Sequence, residues 1–535
     1  MYVEEAVVQK ALERTGFGKF NIGITMIASL IYLNTAFCIT SVGFVISTAA
    51  CDFQMTTIDK GRINAAPMLG MVTGTWIWGY VADIKGRKVA LLASLFLQFA
   101  VDFLASIIPS YWIFVILKFL SGIGVTGQLS LIYPYVGEFQ PVKYRNTVLS
   151  WLDFAWSIGV IIVALFAWVT IPFEFHYQRG MFSFRSWNLF VLSSSIPALV
   201  SALLLAILPE TPKYLAEDGQ RDRLVKVLTK MYISNTGNTA EDFKEDLMTC
   251  GIPSISELVC QHEMYDNKSR QAKVKKNKLV ELLNSSKSQT KALMRRPYFK
   301  RLFASASIMF CMSSTYYSLM TWFPELFQRF ATFETNHPGK HASVCTVSER
   351  CNANNSVIES VDSLTNLDPF GCDSRMDTSV YINSALLGVA CLPCAILLPL
   401  TIERIGYRTY LIFTSACSLA VTVGFFYVRN SMENLIISCV FEAFTSVNTS
   451  INLCMIVDLF PTSLRVMASA ITIFIGRCGS FFGNMLFGYL IDDYCTALIL
   501  AMAAQLLIAT IMGCAVPSRD KMRKIQGRPD VVVQK

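Results

Sequence analysis

Long apolar runs of about 20 residues, separated by short polar breaks, leave this chain few ways to fold, because a helix of that length crosses the hydrocarbon of a bilayer. Roughly twelve such runs are present, near residues 22–50, 64–82, 89–108, 111–136, 146–170, 187–208, 302–328, 379–400, 409–428, 434–457, 466–490 and 495–516. Hydrophobic residues make up 53% of the 535 and charged residues 16%, a low charge content for a soluble domain. Lipid supplies no hydrogen-bond partners, so only helices and closed barrels satisfy their backbone there. The predicted fold class is therefore an all-α membrane bundle.

Orientation follows from the basic residues. With the N-terminus (1–21) in the cytosol, about 35 of the 46 Lys and Arg fall on the cytosolic side and about 9 outside, as the positive-inside rule expects. No apolar core precedes the first span, so no cleaved signal peptide is expected. The net charge of +8 is mostly this cytosolic bias, and nucleic-acid binding is not expected. Residues 209–301 read as a solvated cytosolic linker with short surface helices. In it Leu224, Val227, Leu228 and Met231 share one helical face, and the basic run RQAKVKKNK can meet anionic lipid. Residues 331–378 form a loop on the outer or luminal side, and 517–535 a cytosolic tail.

Two short polar breaks are near copies. "YVGEFQPVKYR" (135–145) and "MIVDLFPTSLR" (455–465) place Glu138 and Asp458, Pro141 and Pro461, and Arg145 and Arg465 each 320 positions apart. The same offset relates "ADIKGRK" after the second span to "IERIGYR" after the eighth: Asp83 to Glu403, Gly86 to Gly406, Lys88 to Arg408. The chain is thus two six-helix halves, 22–208 and 302–516, in one orientation. Parallel repeats of this kind hold a solute site between the halves and rock about it. Gly86 and Gly406 permit a tight turn at positive φ. Acids suit helix starts, and bases suit headgroups. A cytosolic gate is predicted from Asp83, Gly86, Arg87, Glu138, Arg145, Glu403, Arg404, Asp458 and Arg465, pairing between halves on closure. Topological anchoring is the competing reading.

Charges inside spans are costly and mark a pathway or a pair. Asp102 and Lys118 lie about eight residues to either side of a turn, so an antiparallel hairpin puts them at similar depth. They read as a buried structural pair, or as one that breaks when a carrier changes state. Arg477 on span eleven is within reach of Glu442 on span ten, and Asp153 follows Trp151 on span five. Three acids and two bases leave the charge of a solute open. Trp151 and Trp156 from one half and Tyr316, Tyr317 and Trp322 from the other suit an organic solute or a cation. Trp322 and Trp112 also fit interfacial anchors. Asn448, Thr449, Ser450 and Asn452 make a polar cluster that serves either a solute or helix–helix bonding.

Most of the 16 Cys lie in apolar spans, where a thiol is a small hydrophobe. Cys345, Cys351 and Cys372 share the outer loop. Three is odd, so one is unpaired or bonds to Cys51 or Cys495. Asn354 begins a glycosylation sequon in that loop, whereas those at Asn267 and Asn284 are cytosolic and should stay bare. His337 and His341 are split by Pro338 and Gly339, which forbid a helical metal clamp. No metal, cofactor or enzyme activity is expected, since no nucleophile–base pair or phosphate loop appears.

These motifs resemble the major facilitator superfamily. "GYVADIKGRK" is similar to its loop after the second helix. "PETPKYL" (209–215) is similar to its motif after the sixth, which adds Glu210 to the gate. "FLSGIGVTG" is similar to its Gly-rich fourth helix. More narrowly, "NTVLSWLDFAW", "FRSWNLFVL" and "STYYSLMTWFPELF" resemble the synaptic vesicle glycoprotein family and the related sugar and organic-ion porters. The resemblance implies the two-half facilitator fold and alternating-access transport of a small organic solute, an organic ion or a sugar-like molecule. It implies a plasma, secretory or synaptic vesicle membrane, with both termini cytosolic. Alternatively it implies a transporter-shaped vesicle glycoprotein that acts in exocytosis through vesicle-protein partners. It also gives Trp151, Tyr316 and Tyr317 a place in the ligand pocket, joined here by Asp153, Asn448 and Asn452 as expected solute contacts. The family's two first-helix acids are replaced by Thr35 and Cys38, so no proton-coupling acid carries over there. Its tenth-helix Trp and Asp are replaced by Thr449 and Leu453, and its large luminal domain shrinks to about 48 residues.

Overall fold

Each apolar run becomes a helix, because a helix closes its backbone hydrogen bonds within one segment. The computed structural model describes residues 2–173, 175–179, 182–249, 287–296, 298–348, 376–460 and 462–517. Asn267, Asn284, Cys351, Asn354, Cys372 and the side chains of Glu403, Arg404, Thr449 and Asp458 lie outside the described residues. The first half comprises α1 (Lys19–Thr48), α2 (Thr57–Lys85), α3 (Arg87–Ala105), α4 (Tyr111–Gly137), α5 (Val142–Thr170) and α6 (Ser186–Ile207). The second comprises α7 (Tyr298–Asn336), α8 (Thr378–Ile405), α9 (Tyr407–Gly424), α10, α11 (Thr462–Leu490) and α12 (Cys495–Ala515). Helix α10 is broken at Val447 into Ser431–Ser446 and Asn448–Leu459. Ten of these are long and apolar enough to span a membrane on composition alone. The other two, α2 and α7, carry charges that bridge the halves. The side holding both chain ends is called the termini side below, and its opposite the far side.

Packing repeats as the sequence does. Helix α2 packs along α11, and its counterpart α8 packs along α5, while α1 meets α7. Small residues set these approaches. Gly61 of α2 lies against Gly488 of α11, where a Cβ on Gly61 would stand 2.9 Å from the Gly488 Cα. On Gly43 of α1, a Cβ would fall 2.5 Å from the Thr321 carbonyl oxygen of α7. Within the first half, Gly70 and Gly122 let α2 and α4 touch backbone to backbone. Such contacts replace the hydrophobic drive that lipid removes.

The two equivalent turns match the expected geometry. Gly86 has φ +100° between α2 and α3, and Gly406 has φ +85° between α8 and α9. The bases that follow act alike. Lys88 Nζ donates to the Ala206 carbonyl at the end of α6 (2.8 Å), and Arg408 Nη2 to the Cys514 carbonyl at the end of α12 (2.7 Å). Each cation therefore satisfies orphan carbonyls at a helix C-terminus and meets its negative dipole end.

The 209–301 segment does form short helices, but those before residue 250 pack on the bundle rather than lying free in solvent. Helices Arg221–Thr236 and Ala240–Thr249 bury Val227, Leu228, Met231, Phe243 and Leu247 in a core shared with Ala11 and Leu12 of the N-terminal helix Tyr2–Arg14. Asn235 Nδ2 donates to the Thr15 and Gly16 carbonyls and to Asn21 Oδ1. One apolar face needed covering, and the termini side of the first half covers it. A short hairpin, β1 (His176–Arg179) with β2 (Phe182–Arg185), lies between α5 and α6.

Cys345 bonds to Cys495, one of the two partners expected outside the loop, tying the segment after α7 to the start of α12. Cys51 is also disulfide-bonded. The Cys345–Cys495 bridge closes a loop with a sequence separation of 150. Losing a native bridge commonly costs about 2–5 kcal/mol. Cys495→Ser should therefore lower the thermal midpoint of the purified protein by several degrees. An unchanged midpoint would show that the loop is held without it.

Candidate solute site and gates between the halves

At mid-depth the halves meet through polar side chains. Trp156 Nε1 of α5 donates to the Tyr316 hydroxyl of α7 at 3.1 Å. Ser450 Oγ of α10 donates to Asp153 Oδ2 of α5 at 2.7 Å. Tyr133 of α4 donates to Asp153 Oδ1 at 3.0 Å, and its hydroxyl is 3.1 Å from that of Tyr32 of α1. Rings of Tyr32 and Trp156 lie 5.6 Å apart, and those of Tyr316 and Tyr317 5.0 Å. Arg477 of α11 stands over the Tyr317 ring and donates to its hydroxyl at 3.1 Å. An acid, a base and aromatic faces from both halves therefore converge on one layer. Such a layer orients a small polar organic molecule by hydrogen bonds and stacking.

Several expected members lie elsewhere. Trp151 is 53% exposed, packs on Phe154 and shares an outward face with the exposed Ile162, Leu165 and Val169. Five residues along a helix is a turn of about 140°, so Trp156 rather than Trp151 faces the other half. Asn448 accepts from Thr414 Oγ1 of α9 and donates to the Phe444 carbonyl. Asn452 accepts from Ser305 Oγ of α7 and donates to the Ser305 carbonyl. Both amides are engaged in helix packing, not in the layer between halves. Trp322 is no interfacial anchor: it is fully buried against Phe487. Trp112 does lie exposed, beneath Arg62. Sequence reasoning missed Tyr32 and Tyr133, since isolated tyrosines in apolar spans carry no distinguishing pattern.

Asp102 and Lys118 are adjacent, as the hairpin count predicts. Lys118 Nζ donates to Asp102 Oδ1 at 2.9 Å, and Ser121 Oγ to Oδ2 at 3.0 Å. Cys38, in the place of a first-helix acid, lies 3.7 Å from the same Oδ2. All four belong to the first half, which fits a structural pair. Glu442, by contrast, has no ion pair with Arg477, which is turned to Tyr317.

On the termini side the described gate residues cluster inside the first half. Arg87 Nε lies 3.4 Å from Glu138 Oε1, and its Nη1 3.7 Å from Glu217 Oε2. The guanidinium sits over Tyr214, whose hydroxyl donates to the Ile84 carbonyl. Glu210 accepts from the Lys88 backbone N–H, at the start of α3, at 2.9 Å. A Cβ on Gly86 would stand 2.3 Å from Glu210 Oε2, so that site needs glycine for space as well as φ. Asp83 faces Arg87 and Glu217. Arg145 Nη2 reaches Gln9 and the Gln140 carbonyl rather than Glu138. The Arg465 Nε has no protein partner. Burial pushes the Glu138 carboxyl above its ordinary 4.5, and Arg87 only partly offsets this.

A second charged cluster, on the far side, was not foreseen. Glu325 of α7 accepts from Lys60 Nζ of α2 at 2.6 Å, from Arg329 Nε at 3.2 Å and from Ser47 Oγ of α1 at 2.8 Å. Arg329 also reaches Asp492 at 2.8 Å and Thr57 of α2 at 3.2 Å. The bonds from Lys60, Ser47 and Thr57 cross between the halves on the far side, beside the Gly61–Gly488 approach, and those of Arg329 to Glu325 and Asp492 brace the second half.

The sequence similarity agrees with this architecture. A family model described as "Sugar (and other) transporter" matches residues 20–335. The chain belongs to this family. It is therefore a multi-pass membrane protein of the major facilitator fold. It is 28% identical over 320 residues to synaptic vesicle glycoprotein 2A of Homo sapiens, covering 59% of this chain and 43% of the relative. It is 28% identical over 327 residues to synaptic vesicle glycoprotein 2B of Mus musculus, covering 60% and 47%. The chain thus spans under half the length of the curated relatives it matches. Among solved structures it is similar to the inward open conformation of the xylose transporter XylE from E. coli. The TM-score is 0.63 at 16% identity, covering 94% of this chain and 99% of that one. The partially occluded inward open form gives 0.59 at 15%, covering 96% and 99%.

Two outcomes test the gates. Removing one member of a buried, hydrogen-bonded charge group commonly costs about 3–5 kcal/mol. Glu325→Gln should thus release the far side. A Ser47→Cys reporter should then react faster with an impermeant thiol reagent, read at its peptide by mass spectrometry. Equal rates would assign the cluster to folding alone. For Glu138 the sign is opposite to a stabilising salt bridge. Its folded-state value is raised, so its contribution to stability falls as pH rises from about 4.5 through that raised value. Glu138→Gln should consequently be no less stable than wild type at pH 7, with the difference vanishing at low pH. A variant clearly less stable at pH 7 would mean that Arg87 outweighs burial.

Proposed function

We propose that this transporter carries a small organic solute by alternating access, binding it in the layer of Asp153, Trp156, Tyr316, Tyr317 and Arg477. The observation that carries this reading is the pair of hydrogen bonds across the halves, Trp156 to Tyr316 and Ser450 to Asp153. A solute that replaces those bonds ties its own binding to the relative position of the halves. The far-side cluster then fixes one end of the cycle, with access from the termini side. Putting the termini in the cytosol follows the bias of Lys and Arg.

The solute class is an organic ion or a sugar-like molecule. Hydroxyl and carboxylate groups between aromatic faces suit a polyhydroxylated molecule, and Arg477 with Asp153 suits a charged one. The similar solved structures are of a xylose transporter by title, which makes pentoses and hexoses the first probes. A secretory or synaptic vesicle membrane draws support from the relatives' names alone, and the plasma membrane is the alternative. The residues support transport without catalysis.

The test is uptake by the purified chain in proteoliposomes, screened with labelled D-xylose, D-glucose, organic cations and organic anions. Saturable uptake of one class is expected. Loss of a stacking aromatic costs about 1–2 kcal/mol, so Trp156→Ala should weaken apparent affinity roughly 5- to 30-fold. Trp151→Ala should leave it unchanged. Equal effects of the two substitutions would move the site away from the Trp156 layer. No saturable uptake of any class would overturn the transport reading.

A further inference from the structure

One face of α10 is polar and buried where the surrounding helices are apolar. Asn434, Ser438 and Glu442 recur every fourth residue and run from the far-side end of the helix to mid-depth, about 12 Å at 1.5 Å per residue. All three are buried, Glu442 with 1% of its surface exposed. Both side-chain atoms of Asn434, the Ser438 Oγ and the Glu442 Oε2 find no protein partner. Helix α8 packs against α10, and near its own far-side end the Tyr381 hydroxyl and Ser384 Oγ are likewise buried without a partner. Elsewhere some buried polar groups are matched, as in Asp102 with Lys118 and Ser121, and others are unmatched singly, as at Asn64 of α2 and Thr472 of α11. On α10 the unmatched atoms stand at three successive turns of one face, an arrangement suited to holding water.

Charge decides what that is. The polar and titratable groups facing Glu442 are the Tyr316 hydroxyl of α7, the Cys391 thiol of α8 and the Cys439 thiol of α10. No cationic side chain faces it among the described residues. Among the described residues, helix α9 and the second piece of α10 place no charge against it, and Arg477 of α11 is committed to Tyr317. An ionised carboxylate sealed among such neighbours has no compensation, and the least costly form is the neutral acid.

We propose that Glu442 is a proton-binding site, neutral while the far side is sealed, and that the Asn434–Ser438 face with Tyr381 and Ser384 is a hydrated track linking it to the far side. A proton arriving from far-side water binds the carboxylate, and it leaves to water when rocking of the halves opens the layer beside Tyr316. The coupling to rocking rests on the transport reading above, whereas the proton site itself does not. It supplies a candidate coupling acid in a chain whose first helix has Thr35 and Cys38 instead.

Infrared difference spectroscopy on the full chain in lipid tests this without a solute. At pH 7 the wild type should show a protonated-carboxyl stretch that is absent from Glu442→Gln. Should that variant fail to assemble, Glu442→Asp must shift the same band in frequency. A difference confined to the carboxylate region would show that Glu442 is ionised and would overturn the site. For the track, transfer into D2O should shift the band. In Asn434→Leu and Ser438→Ala the exchange should slow about tenfold or more, the equivalent of one lost hydrogen-bonded relay. Unchanged exchange in both would overturn the track. Failure of the uptake screen with the band present would overturn transport and leave the proton site standing.

Discussion

Hydrocarbon offers a polar group no partner, and that constraint organises this protein from its backbone to its gates. The backbone answers it by becoming twelve helices. Side chains answer it in groups: Asp102 with Lys118, Glu325 with Lys60 and Arg329, and, in part, the buried amides of Asn34, Gln98 and Gln128 with one another. The unmatched atoms of Asn434, Ser438 and Glu442 stand out because they occupy successive turns of one buried helix face.

The partners also divide by where they lie. Asp102, Lys118 and the amide triad join helices of one half, and so move as part of a rigid body. Glu325, Lys60 and Arg329 join the two halves, as do Trp156 with Tyr316 and Asp153 with Ser450. In the alternating access proposed above, only this second set changes partners. The interface between halves also holds close approaches at Gly43, Gly61, Gly388 and Gly488 and ring contacts such as Phe44 with Tyr381, which part without leaving a charge unpaired. The energy of switching is thus concentrated in a few polar contacts.

Much of the frame was legible in the residues. The 320-position repeat placed Gly86 opposite Gly406 and Lys88 opposite Arg408, and the structure gives each pair the same turn and the same helix-end carbonyl. Counting from a turn sufficed for Asp102 and Lys118. The site was less legible. Asn448 and Asn452 look like solute ligands in sequence, yet an amide in an apolar span reads the same whether it serves a solute or a neighbouring helix. Trp151 and Trp156 differ only in helical phase, and small differences in packing decide which faces inward. Glu325 lay near a span end, where charge is common, and its partners come from α1, α2 and the next turn of α7.

By itself the sequence determined what depends on local chemistry: which segments are helical, that they form two like halves, and where turns demand glycine. Helix formation and turn geometry are set by neighbours a few residues away, and the repeat is written in the order of residues. Tertiary structure alone decided which polar side chains meet. Glu325 is 265 residues from Lys60, Trp156 is 160 from Tyr316, and Asp153 is 297 from Ser450. Contacts over such separations depend on how the halves sit against each other, and that arrangement follows from the summed packing of many apolar and small residues rather than from any local pattern.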